Sequence, residues 1–176
     1  MPIVPDDKNW TWVLERDCPE CGFHAQDWPR ERVGSGTADL GPTWAAVLER
    51  GDVAVRRSDD CWSPLEYACH VRDVLKLYRD RLALMLEHED PLFPNWDQDA
   101  TAVEDRYGEQ DPAAVANELS VAASELGSAF DSVDGDQWAR TGRRSDGVAF
   151  TVESFARYFI HDPLHHLWDV SGEAHG

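Results

Sequence analysis

The segment His161-Asp162-Pro163-Leu164-His165-His166 sets two imidazoles four residues apart. On a helix, positions i and i+4 lie one turn apart on one face. His161 and His165 can therefore converge on one transition-metal ion, each nitrogen about 2 Å from it. Two nitrogens do not complete a site, and the candidate third ligand is His70, in Ser63-Pro64-Leu65-Glu66-Tyr67-Ala68-Cys69-His70. Three histidines and an open fourth position describe a reactive metal site rather than a closed structural one. His166 is turned by about 100° from His165 on an ideal helix, which places it outside such a site. Pro163 removes a backbone donor between the two ligands and favours a kink. The plainer reading is a chance spacing among seven histidines. His70 alone would read as a hydrogen-bonded core residue and gains its meaning from the pair. Asp73, three residues on, or Glu66, four back, could accept the free ring N–H of His70 and fix its tautomer. A solvated helix face is the plainer role for both.

Two other groups carry chemistry. Cys18-Pro19-Glu20-Cys21-Gly22 looks like half of a zinc ribbon, and Cys61 and Cys69 do not form its second half. Asp17 or His24 could complete a lone site, but a structural knuckle or plain packing is the simpler reading. The pair is expected to be independent of the histidine site. A redox role would need a βαβ context that the chain lacks. Arg140, Arg143 and Arg144 cluster in an acidic chain and could receive a substrate carboxylate. A solvated hairpin tip explains them equally well. Cys69 adjoins His70 but projects in another direction, so no nucleophilic role is assigned to it.

The elements that must position these residues are helices. Residues 1–28 are irregular, broken by Pro2, Pro5 and Pro19. A first helix is expected over about 29–50, broken or kinked near Gly34, Gly36, Gly41 and Pro42. Ser63-Pro64-Leu65-Glu66 is a capping box with proline at the first helical position. It opens a second helix to about Glu89, with His70 on the apolar stripe of Tyr67, Val71, Val74, Tyr78 and Leu82. A connection of about 20 residues follows, long enough to be functional or partly structured. Asp111-Pro112 opens a third helix to about Phe130. Ser145-Asp146-Gly147 marks a tight turn, and 134–150 reads as a small hairpin or extended excursion. Thr151 caps a fourth helix that ends at Ser171-Gly172. The expected fold is an all-α four-helix bundle, a single domain over 1–176 with its helical body over 29–171.

The chain has 176 residues, 42% of them hydrophobic, with a formal charge of -18. That length suffices for a buried core. The charge argues against nucleic acid and anionic membrane as partners. No apolar run reaches the ~20 residues of a membrane span and no signal peptide is read at the start. The expectation is a cytoplasmic protein with its four cysteines as thiols. Eight tryptophans point to a large aromatic core or to a pocket lined with flat side chains.

A capped helix carrying one histidine, followed by HxxxH on the last helix, resembles the DinB-like superfamily of four-helix bundles. This includes the YfiT-like proteins and the mycothiol-dependent maleylpyruvate isomerase-like proteins. The resemblance rests on residues 62–74 and 155–170, with helix count and order over 29–171. The Cys-Pro-Glu-Cys-Gly element is similar to that of actinobacterial members. The resemblance implies that His70, His161 and His165 hold one divalent metal, zinc or nickel, with an open position. It further implies a low-molecular-weight thiol, mycothiol or bacillithiol, whose sulfur the metal binds. Neutral imidazoles leave the metal its full charge, and a coordinated thiol is deprotonated outright. The expected activity is that of a metal-dependent thiol S-transferase acting on a small electrophile. A metal-dependent hydrolase and a non-catalytic metal- or ligand-binding stress protein stay open, as does a homodimer.

Overall fold

The computed structural model describes residues 9–173. Pro2 and Pro5 of the expected irregular segment lie outside the described residues. Four long helices make the body: α1 (Arg30–Leu48), α2 (Pro64–Glu87), α4 (Pro112–Asp131) and α5 (Val152–Ser171). A short α3 (Gln98–Glu104) and a 3-10 turn at Tyr107–Glu109 structure the long connection between α2 and α4. Strands β1 (Thr141–Arg143) and β2 (Ala149–Thr151) pair antiparallel as the expected hairpin, with Gly142 opposite Phe150. Ahead of α1, a 3-10 turn at Trp10–Leu14 packs on α5. No helix among the described residues is long and apolar enough to cross a membrane.

The helix starts follow their local chemistry. Ser63 Oγ accepts from Glu66 N at 3.3 Å while Glu66 Oε2 accepts from Ser63 N at 2.8 Å, so two otherwise orphaned donors are satisfied together. Asp111 accepts from Ala114 N, and Thr151 Oγ1 from Ser154 N. At the other end of α2, Arg140 donates to the carbonyls of Met85 and His88. Arg140 therefore caps a helix rather than waiting for a substrate. Gly172, at φ +74°, closes α5 in the left-handed region.

Of the kink or break expected in α1, the break does not occur: the helix is continuous through Pro42. Its glycines serve close packing instead. A Cβ on Gly41 would come within 3.1 Å of Ser120 Cα, and one on Gly127 of α4 within 2.7 Å of Gly34 O. The α1–α4 contact, the most extensive in the bundle, depends on these missing side chains. Glycine's low helix propensity is outweighed by the apolar area that the close approach buries. The remaining faces of α2 and α5 enclose a core of Leu75, Leu82, Met85, Phe130, Phe155 and Phe159. Trp44 is fully buried there, whereas Trp62, Trp96 and Trp168 sit around a cavity above it.

Candidate functional site

Helix α5 presents two adjacent stripes, 161/165 and 162/166, one residue out of phase and so about 100° apart. Each stripe carries its own cluster of ligating side chains. His70, from α2, meets Asp162 and His166, with one ligand atom from each within 4.8 Å of the others. Cys18 and Cys21, from the segment ahead of α1, meet His161 and His165 within the same distance. The three histidines expected to share one site are thus divided between two clusters. The physical reason is the phase of α5. Its buried residues, Phe155, Phe159 and Ile160 among them, turn the 162/166 stripe toward α2. The 161/165 stripe is left facing the N-terminal segment.

In the first cluster, His70 Nε2 lies 3.5 Å and His166 Nε2 3.8 Å from Asp162 Oδ1. Two nitrogen or oxygen ligands of a tetrahedral ion, each about 2.1 Å away, stand about 3.4 Å apart. The spacing is long for hydrogen bonds and close to that of co-ligands. His166 Nδ1 lies 2.8 Å from Asp169 Oδ2. Donation of that N–H to Asp169 leaves Nε2 with its lone pair toward the cluster, the usual arrangement of a ligating histidine. The His70 ring stacks on Trp96 at 5.6 Å and leans on Trp62 at 5.4 Å. Asp162 Oδ1 and His70 Nδ1 are buried with no hydrogen-bond partner. Burial by itself would raise the Asp162 pKa, but His70 and His166 outweigh it and hold the carboxyl well below the usual range. The group is an anion aimed at a point where a cation fits.

In the second cluster all four residues are buried. Cys18 Sγ stands 3.6 Å from His165 Nδ1, against about 3.6 Å for a sulfur and a nitrogen on one tetrahedral zinc. His165 Nε2 is 3.3 Å from Glu20 Oε2, inside the same Cys-Pro-Glu-Cys loop. His161 Nε2 is buried without a hydrogen-bond partner. Burial and the neighbouring His165 lower the His161 pKa to about 4, so its imidazole is neutral. Burial pushes the Cys21 thiol up to about 12. The expectation that the cysteines stand apart from the histidines is corrected by this contact. Asp17 and His24, weighed as their partners, pair with each other instead.

A cavity of about 640 Å³ opens over α5. Trp10, Trp62, Tyr67, Trp96 and Trp168 line it, and its polar lining includes Asp162 and His166 together with His161, His165 and Glu20. An adjoining hollow is bounded by His70, Asp162 and Arg144. Arg144 is held there by Asp146 at 2.6 Å and donates to Tyr158 Oη at 3.0 Å. Arg143 pairs with Asp90 at 3.0 Å on the hairpin surface. Asp73 does not orient His70: Arg72 and the Tyr107 hydroxyl take up its oxygens. Cys69 contacts the Tyr107 carbonyl and Gln110, and burial drives its pKa up to about 12. Sequence reasoning missed Asp162 and His166 as a pair. Their signal was present, the same four-residue spacing read one position later.

The sequence model of the DinB superfamily matches residues 23–170. Two solved structures share the fold. YfiT from Bacillus subtilis is 16% identical, with a TM-score of 0.76 over 81% of this chain and 84% of that one. It is described as a probable metal-dependent hydrolase with an unusual four-helix bundle topology. The mycothiol-dependent maleylpyruvate isomerase is 12% identical, with a TM-score of 0.63 over 84% of this chain. The match spans 62% of that protein's length. No curated protein matches this chain.

Proposed function

The chain belongs to the DinB superfamily, and from that premise we propose that it is a metal-dependent enzyme acting on a low-molecular-weight thiol and a small electrophile. We assign the reaction to His70, Asp162 and His166, whose ligating atoms converge within 4.8 Å; Asp162 and His166 face the aromatic cavity, and His70 faces the hollow beside it. That convergence is the observation that carries the reading. The residues fit a divalent ion: their spacing is that of co-ligands, and Asp162 Oδ1 is buried without a hydrogen-bond partner. Zinc and nickel both accept two imidazoles and a carboxylate. The ion, when bound, supplies the positive charge that makes a thiol acidic near neutral pH.

The chain's own groups do the rest. Asp162 offers an anionic ligand, and Asp169 fixes the ring of His166. Trp96 stacks on the His70 ring and Trp62 tilts against it, which fixes the ring's orientation. Tyr67, tilted against His166 with ring centroids 4.8 Å apart, extends the apolar wall on which an electrophile can lie. Arg144, at the edge of the adjoining hollow, is placed to receive a substrate carboxylate. Among the described residues the ligating group at His70 includes no cysteine, and in this proposal the reactive sulfur arrives as substrate. The mycothiol-dependent neighbour supports a thiol of that class.

The test is a conjugation assay with mycothiol, bacillithiol and glutathione against a panel of electrophiles, on metal-loaded and chelated protein. A thiol-dependent rate that chelation removes is expected. Equal rates with and without metal would sink the proposal, and metal-dependent ester or amide cleavage without thiol turnover would replace it by a hydrolase.

A further inference from the structure

We propose that Cys18, Cys21, His161 and His165 form a second metal site, closed and structural, that holds zinc. Four ligand atoms gather within 4.8 Å, on residues that are all buried. A complete four-ligand set of sulfur and imidazole leaves no position for substrate, which is the mark of structural zinc. The loop is built for it. Gly22 N donates to Cys18 O at 2.9 Å, and Cys18 N donates to Phe23 O at 2.9 Å. Gly22 takes φ +74°, a left-handed turn that folds Cys21 back beside Cys18. Glu20, between the two cysteines, reaches His165 Nε2, so the loop supplies a carboxylate that can orient the very histidine its cysteine faces.

Charge separates this site from the open one. On binding, each thiol loses its proton to solvent, and two thiolates then cancel the dication. The buried centre is neutral, which suits its depth. Without an ion, the same space holds a weak thiol–imidazole contact and an unpartnered His161 Nε2. The ion would also join residues 147 positions apart in sequence. It would fasten the N-terminal segment to α5 and set Trp10 against His161 and His165 at the wall of the reactive cavity. This inference does not depend on the thiol chemistry proposed above.

The experiment uses the full chain carrying Asp162→Ala and His166→Ala, which removes the open cluster. Elemental analysis and zinc K-edge absorption should find about one ion per chain, with two sulfurs at about 2.3 Å and two nitrogens at about 2.0 Å. Adding Cys18→Ser and Cys21→Ser should remove it. The wild-type chain loaded with cobalt gives an independent reading, because cobalt–thiolate bonds absorb strongly in the near ultraviolet. A shell of nitrogen and oxygen only, or zinc that survives loss of both cysteines, would overturn the proposal. So would bound cobalt without the thiolate band, or a Cys18–Cys21 disulfide in zinc-free native protein.

Discussion

Two clusters sit side by side on one helix, and their differences support the separate roles proposed for them. The 161/165 stripe meets two cysteines, packs against Trp10 and Phe23 at the wall of the same cavity, and has four ligand atoms. The 162/166 stripe meets one histidine, has three ligand atoms, and opens on the cavity. Two thiolates neutralise a dication and fill its shell. One carboxylate leaves a net positive charge and a free position, which is what a reaction needs. Spacing of four on a helix is common to both, so the partners from elsewhere in the fold decide what each pair does.

Asp162→Ala should make the largest difference between the clusters. It removes the only anionic ligand of the open set and should reduce thiol turnover to the chelated background, while leaving the closed site filled. Metal content and turnover, measured together, check this. Full turnover with Asp162→Ala would mean that the open cluster is not the reactive one.

Cys18→Ser with Cys21→Ser acts on the other side of the comparison. Structural zinc contributes folding free energy directly, so its loss should lower the melting temperature by about 10 °C, as expected for a few kcal/mol at this size. The loss of activity should be partial, because the cavity keeps its α2 and α5 residues and forfeits the anchoring of Trp10. A differential scanning measurement with and without a chelator reads the effect. No shift in either case would place the N-terminal segment's stability in packing alone.

The bundle was legible because helix starts are local. Ser63, Asp111 and Thr151 each announce a cap within four residues, and each cap forms. The hairpin follows from Ser145-Asp146-Gly147 in the same way, with Gly147 at φ +89°. Residues 161 and 165 were legible as one face of a helix, but which face meets α2 is a property of packing. A shift of one residue exchanges Asp162 and His166 for His161 and His165, and the choice is made by core residues on three other helices. The link from Cys18 to His165 spans 147 positions and leaves no periodic trace between them. The glycines of α1 misled for a related reason. Propensity reads them as weak points, while their role appears only once α4 lies against them.

Asp169 tests how separate the clusters are. Its Oδ2 lies 2.8 Å from His166 Nδ1, and its Oδ1 lies 3.9 Å from His165 Nε2, so one carboxylate faces both. The shorter contact should dominate. Asp169→Asn is expected to weaken metal at the open cluster by about 10–100-fold, the usual cost of losing a carboxylate behind a ligating histidine. The closed cluster should change far less. Chelator competition, followed separately for each ion, distinguishes these outcomes. Equal weakening at both would show that Asp169 couples them and that they are one functional unit.

Glu20→Gln should have the smallest effect. Glu20 stands behind His165 as Asp169 stands behind His166, but its contact is 3.3 Å and its side chain is 44% exposed. Water can replace part of what it offers, and an amide oxygen in its place still accepts the ring N–H. The ligand set itself is untouched. Zinc affinity at the closed cluster should therefore fall by less than about tenfold, below the cost expected for a buried partner. The measurement is competition with a chelator of known affinity, run beside Asp169→Asn. A drop as large as that variant's would mean that the loop carboxylate is as tightly bound to its histidine as Asp169 is to His166. The closed cluster would then owe its stability to Glu20 as well as to the two sulfurs.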